Sequence, residues 1–256
     1  YSFSLNGNPY QTSPVFTGLR AGTYLASVKD NFGCETTLSV TISEPDTLLL
    51  SLANKTNVDC KGNATGSIQF TASGGSIPYQ FSLDNSTYQS SGTFAGLLAG
   101  NYTIYVKDAN GCISVSNNTI SEPEKLVLSL VSKTDVDCKG NNTGSIQITS
   151  IGGTGIKRFS KDKIAYQSSP QFNSLTAGQY RLYVKDANNC MDSIFVSITE
   201  PEVLTSSITS QTNVACHGNS TGNATVQGNG GTFPYQYSVN GSTFQTSGTF
   251  SNLPAG

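Results

Sequence analysis

The chain has 256 residues, with 14 Lys+Arg against 16 Asp+Glu; the formal net charge of -2 offers no field to draw nucleic acid or an anionic membrane. Charged residues make up 12% of the chain, about half the usual share, and the surface this leaves is neutral and rich in Ser, Thr, Asn and 26 Gly. A single His makes every His-based mechanism rest on one residue, while the 36% hydrophobic residues, scattered rather than gathered into a span, suit several small β-rich cores.

From the N-terminus, residues 1–45 carry Phe16, Ala21-Gly22, the segment Val28-Lys29-Asp30-Asn31-Phe32-Gly33-Cys34, and Glu44-Pro45. Each returns 78 positions later, as Phe94, Ala99-Gly100, Val106 to Cys112 and Glu122-Pro123, and again as Phe172, Ala177-Gly178, Val184 to Cys190 and Glu200-Pro201. Between these landmarks Thr56 to Asn63 recurs as Thr134 to Asn141 and Thr212 to Asn219, at the same step of 78. A unit of this length is domain-sized and can own a core. Cutting at Glu-Pro gives residues 1–45 as the C-terminal part of a repeat, 46–123 and 124–201 as complete repeats, and 202–256 as an N-terminal part. The chain reads as a window of a longer array.

Within 46–123, Ile68 and Phe70, Phe81 and Leu83, and Tyr102, Ile104 and Val106 alternate with polar residues, as do Leu126, Leu128 and Leu130 in the next repeat. This is the period of half-buried strands. Turn residues divide them: Lys61-Gly62-Asn63, Gly74-Gly75, Asp84-Asn85, Leu98-Ala99-Gly100 and Asp108-Ala109-Asn110-Gly111. No helical stripe occurs. About seven short strands per repeat predict an all-β chain of tandem immunoglobulin-like antiparallel β-sandwich domains, arranged as an extended rod. Tyr24, Tyr102 and Tyr180, each two places after Ala-Gly, occupy the position of a tyrosine corner.

Val-x-Cys-x-Gly-x-x-x-Gly at 58–66 and 136–144, Gly74-Gly75 before Pro78-Tyr79-Gln80-Phe81-Ser82, Ala-Gly-x-Tyr, and Val-x-Asp-x-Asn-Gly-Cys together resemble the SprB repeat. The resemblance spans the whole chain. It departs in the middle repeat, where Ile156-Lys157-Arg158 replaces Pro-Tyr-Gln and Asn188-Asn189 replaces Asn-Gly, placing loop shape and surface charge there in question. The resemblance implies a very large surface adhesin of a gliding bacterium, exported by type IX secretion, and it names no ligand.

Six cysteines at two repeat-locked positions read as the disulfide framework of an exported protein. Cys60–Cys112 and Cys138–Cys190 would close each complete repeat, leaving Cys34 and Cys216 to partners elsewhere. Cys34–Cys60, Cys112–Cys138 and Cys190–Cys216 would instead join neighbouring domains. The intra-repeat pairing is the first expectation, with inter-domain or unpaired cysteines as alternatives. In an ordinary sandwich the two positions lie at opposite ends, so either pairing asks for a modified topology.

The chemical candidates are sparse, and no catalytic residue or cofactor is expected. His217 aligns with Lys61 and Lys139 and reads as a variable loop residue. Asp30, Asp108 and Asp186 offer oxygens for calcium, although Asp at a hairpin ordinarily serves its own backbone amides. Lys157, Arg158, Lys161 and Lys163 form the basic cluster, with 157, 159, 161 and 163 expected on one strand face, where Lys discourages edge pairing or grips an acidic polysaccharide. Tyr79 and Tyr235 are candidates for stacking on sugars. Asp46-Thr47-Leu48 and Asp192-Ser193-Ile194 resemble the O-glycan acceptor of bacteria with this secretion route, at Thr47 and Ser193, and Asn63 and Asn141 head N-glycan sequons. The expected partners are neighbouring repeats end to end and surface polysaccharide, with no nucleic acid and no membrane insertion. The expected role is an extracellular, non-enzymatic stalk that bears load and presents a distal adhesive region; a multivalent carbohydrate-binding array is the alternative.

Overall fold

The computed structural model describes residues 1–256, all strand, turn and loop. Strands β1 (Ser2–Leu5), β2 (Gly22–Lys29) and β3 (Glu35–Ile42) form one three-stranded antiparallel sheet. The first complete repeat follows with β4 (Leu49–Thr56), β5 (Gly66–Ser73), β6 (Gln80–Ser82), β7 (Thr93–Leu97), β8 (Gly100–Lys107) and β9 (Ile113–Ile120). The second has β10 (Val127–Thr134), β11 (Gly144–Ile151), β12 (Arg158–Ser160), β13 (Gln171–Leu175), β14 (Gly178–Lys185) and β15 (Met191–Ile198). The chain ends on β16 (Thr205–Thr212), β17 (Gly222–Asn229) and β18 (Thr249–Leu253).

Two compact units hold these strands. One is residues 1–57 with 64–121, carrying β1 to β9; the other is Val58–Asn63 with Glu122–Gly256, carrying β10 to β18. In each complete repeat one sheet has the order first-second-fourth strand (β4-β5-β7, β10-β11-β13) and the other third-fifth-sixth (β6-β8-β9, β12-β14-β15). That is the A-B-E and C-F-G arrangement of an immunoglobulin-like sandwich without strand D. The segment where D would lie makes only one bridge, Phe81↔Gln89 in the first repeat and Phe159↔Gln167 in the second, so six strands stand where about seven were expected.

The core of the second repeat is Leu126, Leu128, Val136, Ile146, Ile148, Phe159, Phe172, Leu175, Leu182, Val184, Val196 and Ile198. Ile68, Phe70, Phe81, Ile104, Val106 and Ile120 are buried likewise in the first. The alternating residues therefore face inward, but Leu130 and Leu83 are not fully covered. Leu130, paired opposite the buried Ile148 on the edge strand β10 and just before a β-bulge between Leu130 and Ser132, is still 44% exposed. Leu83 is only half-buried, since β6 ends at Ser82.

Each hairpin β8–β9 and β14–β15 closes on the tetrad read from the sequence. Gly111 takes φ +83° in the first, and Asn189 takes φ +64° in the second, a left-handed conformation that Asn tolerates. The double glycine at 74–75 is required by crowding: Gly74 has φ +71°, and a Cβ there would stand 2.1 Å from the Thr47 carbonyl oxygen. Tyr24, Tyr102 and Tyr180 donate their hydroxyls to the carbonyls of Arg20, Leu98 and Thr176, at 2.9, 3.0 and 3.0 Å. These are tyrosine corners in bonding as well as position.

Candidate junction site

The second repeat has two chemically distinct ends. At one end the loop between β10 and β11 is joined to the exit of β15: Val136 N–H donates to the Thr199 carbonyl (2.9 Å) and Thr199 N–H to Asp135 Oδ1 (2.8 Å). At the other lie the chain's entry and the β14–β15 hairpin, where Gly153 N–H donates to the Glu124 carbonyl (2.9 Å) and Thr154 N–H to Asp186 Oδ2 (2.7 Å). Cys138 belongs to the first end and Cys190 to the second, separated by an eight-residue strand. At about 3.3 Å per residue that is roughly 25 Å, whereas a disulfide needs Cα atoms within about 7 Å. The expected intra-repeat pairing is corrected on this ground.

Cys190 is bonded instead to Cys60, with Cα atoms 5.6 Å apart and a separation of 130 positions in sequence. The sequential inter-domain pairings are overturned with the intra-repeat ones: Cys34, Cys112, Cys138 and Cys216 carry free thiols. Both partners lie in the second compact unit, because Val58–Asn63, which the repeat period assigns to 46–123, packs there.

Local rules shape both halves. In the loop, Asp59 Oδ1 accepts Cys60 N–H (2.6 Å) and Asn63 Nδ2 (3.0 Å), Gly62 takes φ +81°, and Asn63 N–H closes the turn on the Cys60 carbonyl (3.0 Å). Asp137, Cys138, Gly140 and Asn141 repeat this geometry. In the hairpin, Asp186 Oδ1 accepts Asn188 N–H and Cys190 N–H, both at 2.9 Å, which fixes the cysteine backbone. Asn188 Nδ2 then donates to the Asp59 carbonyl at 2.9 Å.

A second clamp holds the same loop. Glu122 of Glu-Pro pairs with Lys61 and accepts Gly62 N–H with its other oxygen at 2.8 Å. Glu200 does the same one repeat on, with Lys139 at 2.7 Å and Gly140 N–H at 2.8 Å. Lys61 holds the Glu122 carboxyl below the usual carboxylate range, aided by Gly62 N–H, and its own ammonium is pushed up in return. His217 occupies the Lys position in a loop of the same form. The sequence marks Glu-Pro as the boundary between repeats; its role as a loop clamp emerges only from the structure, although the co-periodic Glu and Lys are visible in the chain. The role of Gln89 and Gln167 emerges in the same way. Each Nε2 donates to two carbonyls, of Ser91 and Thr93 and of Ser169 and Gln171, fastening the segment that leads into β7 and β13.

The remaining candidates fall elsewhere. Asp30 Oδ1 accepts Phe32 and Cys34 N–H; Asp108 accepts Ser76, Asn110 and Cys112 N–H; with Asp186 they act as hairpin closers. These donors, first Cys34 for Asp30 and Ser76 for Asp108, pull both carboxyls down. The shared basic face is corrected: β12 spans only Arg158–Ser160, Phe159 on it is buried, and Lys163 turns away at φ +65°. Lys157 is half-buried, and Arg158 and Lys161 are exposed. Tyr79 and Tyr235 are half-buried and commit their hydroxyls to Gly74 and Gly230 carbonyls at 2.6 Å, and Tyr235 also stacks edge-on with Phe233 and Tyr237. Ser193 Oγ accepts from Arg181, Thr47 is exposed, and Asn63 and Asn141 spend an amide N–H on Asp59 and Asp137. An apolar groove lined by Phe3, Leu5, Phe16, Tyr24 and Val40 is the inward face of the β1–β3 sheet, matching the core face of β6-β8-β9. No helix is long and apolar enough to cross a membrane.

Fold and site together define a tandem immunoglobulin-like repeat protein whose loop cysteine is bonded into the following repeat. The SprB repeat model matches residues 52–87, 130–156 and 208–244, three stretches that start at intervals of 78, in agreement with the sequence resemblance. This is a repeat region of the kind found in surface adhesins, which implies an extracellular location. Among curated proteins none gives a significant match.

Proposed function

We propose that the chain is a section of the stalk of a cell-surface adhesin, exported by type IX secretion in a gliding bacterium, that carries a distal adhesive region and bears load. The observation that carries this reading is the cystine between Cys60 and Cys190, reinforced by the Glu-Pro clamps. A chemical site tuned to one reaction would break the period; here the best-built features are those the period repeats. The polar, weakly charged exterior stays hydrated and resists nonspecific ionic binding.

Small-angle scattering tests it. Sandwiches about 35–40 Å long, joined at Glu-Pro with little slack, give a rod of roughly 110–140 Å and a radius of gyration of about 32–40 Å. One globule of this size would show about 18 Å, and that value would sink the stalk reading. Dose-dependent glycan binding lost on Tyr79→Ala would move the assignment to the carbohydrate-binding array.

A further inference from the structure

We infer that the 130-residue step from Cys60 to Cys190 is a rule of the array: each loop cysteine bonds the hairpin cysteine of the next repeat, so successive staples overlap and lock the length of the chain. The chemistry of the bond stands without the stalk reading; only its mechanical meaning rests on it.

Two observations point the same way. The first is the bond itself, between a loop and a hairpin that the 78-residue period reproduces. The second is at a junction where no cystine is present. Asp137, the counterpart of Asp59, accepts a hydrogen bond at its backbone carbonyl from Thr232 Oγ1 at 3.3 Å. Thr232 is the counterpart of Thr154, whose carbonyl takes Ala187 N–H at 3.0 Å within the hairpin end of its repeat. The loop bearing Cys138 thus already meets the hairpin end of the following repeat in the sense seen at Cys60. Under the rule, Cys138 and Cys216 await hairpin cysteines 130 residues further on, and Cys112 and Cys34 await loop cysteines 130 residues back. These four are the free thiols of the structure.

Each bond forms as two thiols lose two protons and two electrons to a disulfide oxidant, such as oxidised glutathione. A thiolate attacks the oxidant's disulfide and expels one thiol; the second cysteine attacks the mixed disulfide and expels the other.

The consequence is topological. A covalent path that crosses from Cys60 to Cys190 runs on through β15, Glu200-Pro201 and β16 for 26 residues to Cys216, the next loop cysteine two repeats, or 156 residues, after Cys60. The interleaved path from Cys112 to Cys138 is also 26 residues. Even with every sandwich unfolded, each path spans two repeats with about 90 Å of extended chain plus one cystine, or roughly 50 Å per repeat. Without staples a 78-residue repeat would pay out about 270 Å.

Disulfide mapping by mass spectrometry tests the rule. In the 256-residue chain, oxidised with glutathione, the expected result is one cross-linked pair, Cys60 with Cys190, and four alkylatable thiols. When a second copy of residues 179–256 is appended in phase, Cys138 is expected to bond the appended copy of Cys190 and to lose its alkylation. A Cys138 that stays free, or an appended hairpin cysteine that bonds Cys216, overturns the rule. Pulling the 256-residue chain by its ends supplies the mechanical arm. Reduction should add about 450 Å of contour, against roughly 360 Å for the two intra-repeat bonds and 270 Å for the three sequential ones. Either smaller value rejects the staple, whereas failure of the scattering test alone would reject the stalk and leave the bond map standing.

Discussion

Glu200 reaches back to Lys139, its Oε1 standing 2.7 Å from the ammonium while Oε2 takes the Gly140 N–H at 2.8 Å. Glu122 treats Lys61 and Gly62 identically, so one carboxylate per repeat ties the end of a sandwich to the loop that carries its cysteine. The Glu of Glu-Pro is held extended by the proline that follows, which aims its side chain before the ion pair forms. This arrangement couples the joint between repeats to the placement of the bonding cysteine.

Replacing Glu200→Gln keeps an acceptor for Gly140 and removes the charge that draws Lys139. The expected outcome is faster hydrogen exchange across 136–141 with the β-strands unchanged. Glu200→Ala, which removes both contacts, should accelerate it further. Equal exchange in all three proteins would show that the clamp does not hold the loop.

Acid should loosen both units through the same class of contacts. Backbone N–H groups, led by Cys34 for Asp30, Thr87 for Asp84, Ser76 for Asp108 and Ile164 for Asp162, lower those carboxyls from the ordinary 3.8. Lys61 and Lys139 lower Glu122 and Glu200 from 4.5. With folded-state values below unfolded ones, the native state binds fewer protons, so this stability is present above about pH 5 and is lost as pH falls through the depressed values. The two lysines, raised above 10.5, contribute below that pH and lose their contribution only as pH rises through their raised values. Thermal midpoints should therefore be flat from pH 6 to 9 and fall steeply below about pH 4; an unchanged midpoint at pH 2 would contradict the bonding scheme.

Much of this was legible in the chain because period-two alternation and turn residues are local signals. Ile68-Phe70, Gly74-Gly75, Asp108 to Gly111 and the tyrosine corners needed no knowledge of distant contacts. Alternation places Leu130 on the core face but does not show how much of an edge-strand side chain is covered, and strand D is missing because its segment makes one bridge instead of a ladder. The cysteine partner was hidden for a different reason. Cys60 and Cys190 are 130 residues apart, and their meeting depends on how one sandwich delivers the chain to the next.

The difference in burial along the alternating pattern can be checked by truncation. Leu182 and Ile146 are fully buried, so Leu182→Ala or Ile146→Ala should cost about 2–5 kcal/mol. Leu130→Ala, on the same alternating pattern by sequence, should stay within about 0.5 kcal/mol. A large loss at Leu130 would place its side chain in the core.

Backbone geometry gives a sharper pair. Tyr180→Phe deletes one hydroxyl bonded to the Thr176 carbonyl and should cost about 1 kcal/mol. Gly152→Ala meets both a φ of +68° and the Lys125 carbonyl oxygen 2.0 Å from the new Cβ, so the entry segment must move. Its cost should exceed that of Tyr180→Phe in urea denaturation; the reverse order would mean that the Gly152-Gly153 turn yields easily.

The cystine makes the last prediction. A cross-link closing 130 residues removes about 5 kcal/mol of chain entropy from the unfolded state at 25 °C, an upper figure because unfolded chains retain structure. The enclosed segment runs from β5 through β14 and so includes parts of both complete repeats. Full stabilisation is therefore felt only when both unfold, and melting of one alone regains a fraction of it. Reduction, Cys60→Ser and Cys190→Ser should each lower the midpoint of global unfolding by a similar amount. Cys34→Ser, Cys112→Ser, Cys138→Ser and Cys216→Ser remove free thiols and should each stay within about 0.5 kcal/mol of the parent. A loss at Cys112→Ser as large as at Cys60→Ser would restore the intra-repeat pairing, and indifference to reduction would show that no cystine contributes to the fold.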